Sequence, residues 1–354
     1  MKPAAPIAAA CLALSGLSAA TAADGVPDYK IVRSVPLGSP DGWDYVVYDA
    51  PSHRVYVAHG DTVSVVDGRD GSIVGTIGVL PGGTHGIAIA PGTHRGYTDE
   101  GRAEKVDAFD LNTLKVQHSL PAQADTDALA YDPKSRHVFA VNGNPGTLTV
   151  IDPKTDTVVT TISTGGKLEY LAADGKGHLF INGNVQNQLV RVDTRTNTVL
   201  DHWPMGDCQA PVGLALDIKS QRVISTCRSG VMVILDATDG HIVASLPIGR
   251  GTDGAAFDPK RRLAFSANGT DGTLTVVREK DADTWVPAAT IKTAETARTI
   301  GIDQRTGRIY LAAAEIDQAA LAAQQATPPP PGSPPRRAPI VPGSLKLLFL
   351  DPVH

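Results

Sequence analysis

The sequence predicts an all-β fold, a seven-bladed β-propeller, and three observations carry that reading. A unit of roughly forty residues recurs from Trp43 onward. Each copy holds four short β-like runs. Asp-, Asn-, Gly- and Pro-rich turns separate those runs. Residues 45–77 (YVVYDAPSHRVYVAHGDTVSVVDGRDGSIVGTI) and 128–162 (ALAYDPKSRHVFAVNGNPGTLTVIDPKTDTVVTTI) show the pattern side by side. The register can be counted on the residue that ends the first run of each copy: Asp49, Ala90, Asp132, Asp174, Asp217, Asp258 and Asp303, in steps of 41 to 45 residues. A second Asp recurs after the third run, at Asp67, Asp110, Asp152, Asp193 and Asp236. Arg278 stands in its place in copy six, and Asp351 closes copy seven.

The elements follow in chain order. Residues 1–22 predict a cleavable signal peptide: Lys2 gives a positive end, residues 5–20 are apolar, and Ala20-Thr21-Ala22 is a small-x-small cleavage site. Export to a bacterial periplasm is expected, with residues 23–354 forming one propeller domain. Residues 28–37 resemble the fourth run of the other copies, while copy seven has only three runs (299–302, 308–312 and 345–350). The N-terminal strand should therefore complete the last blade and close the ring, pairing edges that would otherwise be open.

Copy three shows the internal logic. Strands A to D are predicted at 128–131, 137–141, 147–151 and 157–162, with β-branched residues in the runs and turn formers between them. Strand A is short-chained in most copies, for example Ile87-Ala88-Ile89 and Leu214-Ala215-Leu216, which suits the crowded strand nearest the axis. In copy five, Cys208 precedes strand A and Cys227 ends strand B. Antiparallel pairing brings those two ends together, so a structural disulfide is expected; nothing like Cys-x-x-Cys suggests a redox pair. Copy seven carries a long Pro-rich insertion at about 315–343. Its residues 316–325 predict a short helix. It is either a lid bringing Arg336 or Arg337 over the central opening or a solvated loop.

Phrases such as GWDYVVYD (42–49), YVAHGDTVSVVD (56–67), THGIAIAP (84–91), VIDPKTDTVVTTI (150–162) and VPGSLKLLFL (341–350) resemble the YVTN-type propellers, in particular the secreted YncE-like proteins. The resemblance spans nearly the whole mature chain. It implies a fold and export, and it leaves activity open, because propellers host binding modules, lactone hydrolases and lyases alike.

Composition narrows the function. Net charge is −5, with no basic footprint for nucleic acid, and no mature segment is long and apolar enough to span a bilayer. A monomer serving a small molecule or another periplasmic protein is expected. Phosphate-loop, nucleophile-elbow and haem-attachment motifs are absent from the sequence.

One position stands out. Five residues before each strand-A marker lie Asp44, His85, Asp127, Glu169, Val212, Asp253 and Arg298. Six of these seven are polar, and all seven precede the innermost strand, so they predict a funnel around the axis. Trp43 and Tyr45 flank it and either stack on a ligand or pack between blades. Four carboxylates against one fixed cation leave a formal −3 if His85 is neutral. Such a ring calls for a cation or a ligand. A hard divalent ion (Ca or Mg) on Asp127, Glu169 and Asp253 is one candidate. The alternatives are turn-capping roles for the acids and a simple ion pair of Arg298 with Asp253 or Asp44. Two functions follow: a binding or scaffold protein using the funnel, or a lactonase-like, metal-dependent hydrolase or lyase with His85 as base and Arg298 holding an anionic group. Strict strand alternation would aim these residues between the blades, so the funnel requires strand A to begin after them.

Overall fold

The computed structural model describes residues 25–327 and 336–353. The proposed signal peptide and the proline run at 328–335 lie outside the described residues. Seven four-stranded antiparallel sheets make the seven blades. The innermost strands are Val46–Asp49, Ile87–Ala90, Thr126–Asp132, Leu168–Ala173, Pro211–Asp217, Thr252–Asp258 and Ile300–Asp303. In blade three the remaining strands are His137–Asn142, Thr147–Asp152 and Thr157–Ser163, within a residue of each expected boundary.

The ring closes as the split copy requires. Asp28–Pro36 pairs antiparallel with Lys346–Val353, which pairs with Arg308–Ala313 and through it with Ile300–Asp303. Tyr29, from this closing strand, packs edge-on against Phe265 of blade six with centroids 5.4 Å apart. Strand B supplies the largest side chains between blades. Tyr56, Tyr97, Phe139, Phe180, Phe265 and Tyr310 recur once per copy and are fully buried, with Ile224 in blade five. Tyr56, for example, packs on Ile87 and Phe109 of blade two. Burying such rings between sheets is the main apolar gain of the fold.

The repeated Asp residues cap turns. After strand A, Asp132 accepts the backbone N–H groups of Lys134 and Ser135 at 3.2 and 2.8 Å, and Asp258 accepts those of Lys260 and Arg261 at 2.9 and 3.0 Å. After strand C, Asp67, Asp152, Asp193 and Asp236 each accept an N–H two residues on. These are Asx turns, in which a short carboxylate replaces a backbone acceptor. They lie together on one face, at the A–B and C–D turns.

Cys208 and Cys227 form a disulfide with Cα atoms 5.4 Å apart, as blade-five pairing predicts. The insertion leaves blade seven on the other face, through an isolated bridge between Ile316 and Ile340 and a helix at Gln318–Ala326 capped by Asp317. Among the described residues, no helix is long and apolar enough to cross a membrane.

Candidate functional site

On the D–A/B–C face, the strand-A starts surround a cavity of about 370 Å³. Asp44, His85, Asp127, Glu169 and Asp253 all line it, with Trp43 and Tyr45 beside them. Arg298 stands one step behind. Its Nε donates to Asp253 Oδ2 at 3.0 Å, Nη2 donates to the Trp43 carbonyl, and the guanidinium lies 4.5 Å from the Trp43 ring centroid. Of the two partners open to Arg298, Asp253 is the one bonded. Val212, the apolar exception, is buried.

A bulge explains how these residues reach the axis. Asp44 and His85 precede their strands, which begin at Val46 and Ile87. Asp127, Glu169 and Asp253 lie inside theirs, but the ladder slips beside each: between Thr126 and Leu129, Leu168 and Leu171, and Thr252 and Gly254. Each slip leaves one extra residue on strand A relative to strand B. A β-bulge of this kind breaks the two-residue alternation and re-aims a side chain. The first turn of strand A thus faces the opening while its remainder packs between blades.

The funnel has a floor. Tyr45 of blade one meets Tyr170 of blade four edge-on, with ring centroids 4.7 Å apart. Blades one and four are not neighbours in a ring of seven, so this contact crosses the axis and obstructs the channel. Tyr45 is therefore packed across the axis, not between adjacent blades, and it still lines the cavity. Burial holds its phenol well above the usual tyrosine range, and Asp127, Glu169, Asp44 and Asp253 push in the same direction. Its hydroxyl lies in the field of all four carboxylates.

Asp44, Glu169 and Asp127 resist ionisation. Burial raises Asp44 to about 6, against the pull of Arg298, and Asp253 adds to the rise. Burial together with Asp253 raises Glu169 to about 7, against Arg228 and Lys167. Asp127 is held well above the carboxylate range by burial and by Asp44, and its Oδ1 is buried without a hydrogen-bond partner.

His85 behaves differently from the expected base. Its Nδ1 lies 2.8 Å from Asp99 Oδ2, and Asp99 also accepts the backbone N–H groups of His85 and Gly86 at 2.8 and 2.7 Å. Burial opposes protonation of the ring. The hydrogen bond and charge of Asp99, backed by Asp127 and Asp44, outweigh it and raise His85 to about 10. At neutral pH His85 is an imidazolium, a donor and a fixed cation rather than a proton acceptor. Asp99 carried a readable signal. In strand B it pairs with Val106 of strand C, and the equivalent strand-B positions are Ala58, Val141, Asn182, Thr226, Ala267 and Ala312. A fully buried carboxylate in that series breaks the pattern.

The formal charge of −3 does not describe the assembled site. Arg228, from the B–C turn of blade five, reaches Asp253 Oδ1 at 3.2 Å and Glu169 Oε1 at 3.7 Å. Lys167 lies 3.6 Å from Asp125, and Arg102 and Arg337 also line the cavity. Arg228 and Lys167 are 51% and 41% exposed, against 12% for Asp253 and 15% for Glu169, so acids sit deep and bases near the mouth. Connections of varying length supply these bases, out of register with the repeat, so counting could not find them. Of the insertion's two arginines, Arg337 faces the cavity and Arg336 donates to the Thr327 carbonyl.

The expected metal set is not drawn together. Among the described residues, Asp127, Glu169 and Asp253 do not bring ligand atoms within 4.8 Å of one another; the group that does is Asp236, Asp239 and His241, on a partly exposed turn. Asp253 is in addition engaged by two arginines. The three acids stand on blades three, four and six, and Arg228 lies between Glu169 and Asp253.

No family model matches the chain. It is similar to the uncharacterized protein YncE of Salmonella typhimurium, 23% identical over 174 residues; the match spans about half the length of that relative, 48% of each chain. Among solved structures, a chain of Kuenenia stuttgartiensis hydrazine synthase aligns with a TM-score of 0.66 at 13% identity, covering 77% of this chain and 93% of that one. The first likeness agrees with a YncE-like propeller, and the second speaks to the propeller fold alone.

Proposed function

We propose that the protein is an exported propeller that binds a small polar ligand in its axial funnel. One observation carries the reading: a cavity of about 370 Å³ collects five of the six polar strand-A starts and leaves the buried Asp127 Oδ1 without a partner. A cavity of that size falls in the range used for small-molecule sites. Isolated carboxylates around one opening gain from a ligand that supplies donors or positive charge. Export is supported by the character of residues 1–22 and by a disulfide of the kind that persists in oxidising compartments.

A hydrolytic or lytic role finds less support. The candidate metal ligands are separated, and the candidate base is held protonated. The test is a thermal-shift screen of metabolites and divalent ions, with elemental analysis of the purified protein. A funnel ligand should raise the melting temperature by mass action, and Glu169→Gln should reduce that rise. The proposal fails if no compound or ion stabilises the protein, or if stabilisation is the same in Glu169→Gln and His85→Ala.

A further inference from the structure

Resting on the funnel as a binding site, we infer that its ligand is a small zwitterion. An ammonium group is bonded at Asp127 in the field of Asp44 and Glu169, and an anionic group is held at the mouth by Arg102 and Arg337.

The deep end lacks a cation of its own. Arg298 and His85 are the leading cations that act on Asp44, with Arg337 acting more weakly, and the first two are committed elsewhere, Arg298 to Asp253 and His85 to Asp99. Glu169 has Arg228 at 3.7 Å, outside hydrogen-bond distance. Asp127 Oδ1 is buried with no donor at all. Beside it Tyr45, whose body plugs the axis, keeps its phenol protonated. The mouth has the opposite excess. Arg102 and Arg337 line the cavity, and among the described residues neither forms an ion pair. One cavity therefore holds acids that are only weakly neutralised below and arginines without ion pairs above. A rigid site of this kind selects a ligand with the complementary order of charges.

The spacing favours an organic cation over a bare ion. A dehydrated divalent metal needs several oxygens in one shell. An ammonium needs one charge-assisted hydrogen bond and a negative surrounding field, which Asp127, Asp44 and Glu169 provide without converging. The cavity, at about 370 Å³, has room for an amino-acid-sized molecule.

Proton exchange gives an independent signature. Near neutral pH, Glu169 (about 7) and Asp44 (about 6) are partly protonated. An ammonium beside them favours the charged carboxylates, so binding should release protons. Binding of a neutral or anionic ligand should not.

The experiment uses the intact protein and a matched set of probes: ω-amino acids, α,ω-diamines and α,ω-dicarboxylates of increasing chain length. Binding is measured by calorimetry in buffers of different ionisation enthalpy. One ω-amino acid should bind best and release protons. Asp127→Asn should weaken it and its matched diamine roughly 10- to 100-fold and leave the dicarboxylate unchanged. Arg337→Ala should weaken the amino acid and the dicarboxylate but not the diamine. The inference is overturned if a dicarboxylate binds as well as the amino acid, if binding takes up protons, or if Asp127→Asn, folded by circular dichroism, binds as the native protein does. If a neutral compound stabilises the native protein and not Glu169→Gln, the binding function stands and the zwitterion is wrong. If no compound binds at all, both fall.

Discussion

Two sets of carboxylates recur in this molecule, on opposite faces of the ring, and they behave in opposite ways. The turn set, Asp67, Asp132, Asp152, Asp193 and Asp236 among them, accepts backbone N–H groups on the A–B/C–D face. Hydrogen bonds to the charged form hold Asp67 down: the Arg69 side chain and backbone bring it to about 2, against some burial. The funnel set, Asp44, Asp127 and Glu169, faces a cavity on the other side and is pushed up. The same residue type, carried by the same repeat, is structural where the chain offers donors and resists ionisation where it does not. The first set stabilises the fold, whereas the second is an electrostatic cost that persists for another reason.

The comparison can be broken at several strengths. The largest effect is expected at Asp132, which is fully buried and accepts two backbone N–H groups and the Thr194 hydroxyl. Asp132→Ala orphans those donors and should cost about 2–4 kcal/mol in denaturant unfolding. If it costs nothing, the turn set is not structural.

Next comes pH. Asp44 and Glu169 have folded pKa values above their unfolded ones, so the stability they contribute is present at low pH and lost as pH rises through about 6 and 7. His85 acts in the same sense, with its contribution lost as pH rises through about 10. Asp67 acts in the opposite sense: its contribution is present above its unfolded value and lost as pH falls toward about 2. Stability of the ligand-free protein should therefore fall between mildly acidic and alkaline pH, and Asp44→Asn with Glu169→Gln should flatten that fall. A wild-type profile that rises over the same window would contradict the assignment.

The smallest effect has the opposite sign from the first. Asp127→Asn removes an uncompensated buried carboxylate and should raise stability at pH 8 by on the order of 1 kcal/mol. At pH 4 it should change little, because the native carboxyl is then protonated. A loss of stability at pH 8 would place Asp127 with the turn set.

Much of this was legible in the sequence. The hydrophobic alternation and Asp-led turns located strands B to D of blade three within a residue and the start of strand A within two, and the missing fourth run of copy seven located the closing strand. Cys208 and Cys227 followed from antiparallel pairing. The strand-A starts could be counted, but their direction could not, because a one-residue bulge after Thr126, Leu168 or Thr252 has no sequence mark of its own. Arg228, Lys167, Arg102 and Arg337 were missed because they sit on connections whose lengths follow no period. Tyr45 was misjudged for a different reason. Whether a side chain at the axis packs sideways or straight across depends on the blade opposite, and only the closed ring brings Tyr170 to it.

The most direct test of the central claim is the titration of Glu169. The chain has six glutamates, so carbon-13 labelling of glutamate side chains gives a short spectrum, and Glu169→Gln assigns the resonance. In the ligand-free protein the Glu169 carboxyl should titrate near 7. A value in the ordinary range near 4.3 would show that protein or solvent already neutralises the funnel, and the account of an unpaired acidic floor would be wrong.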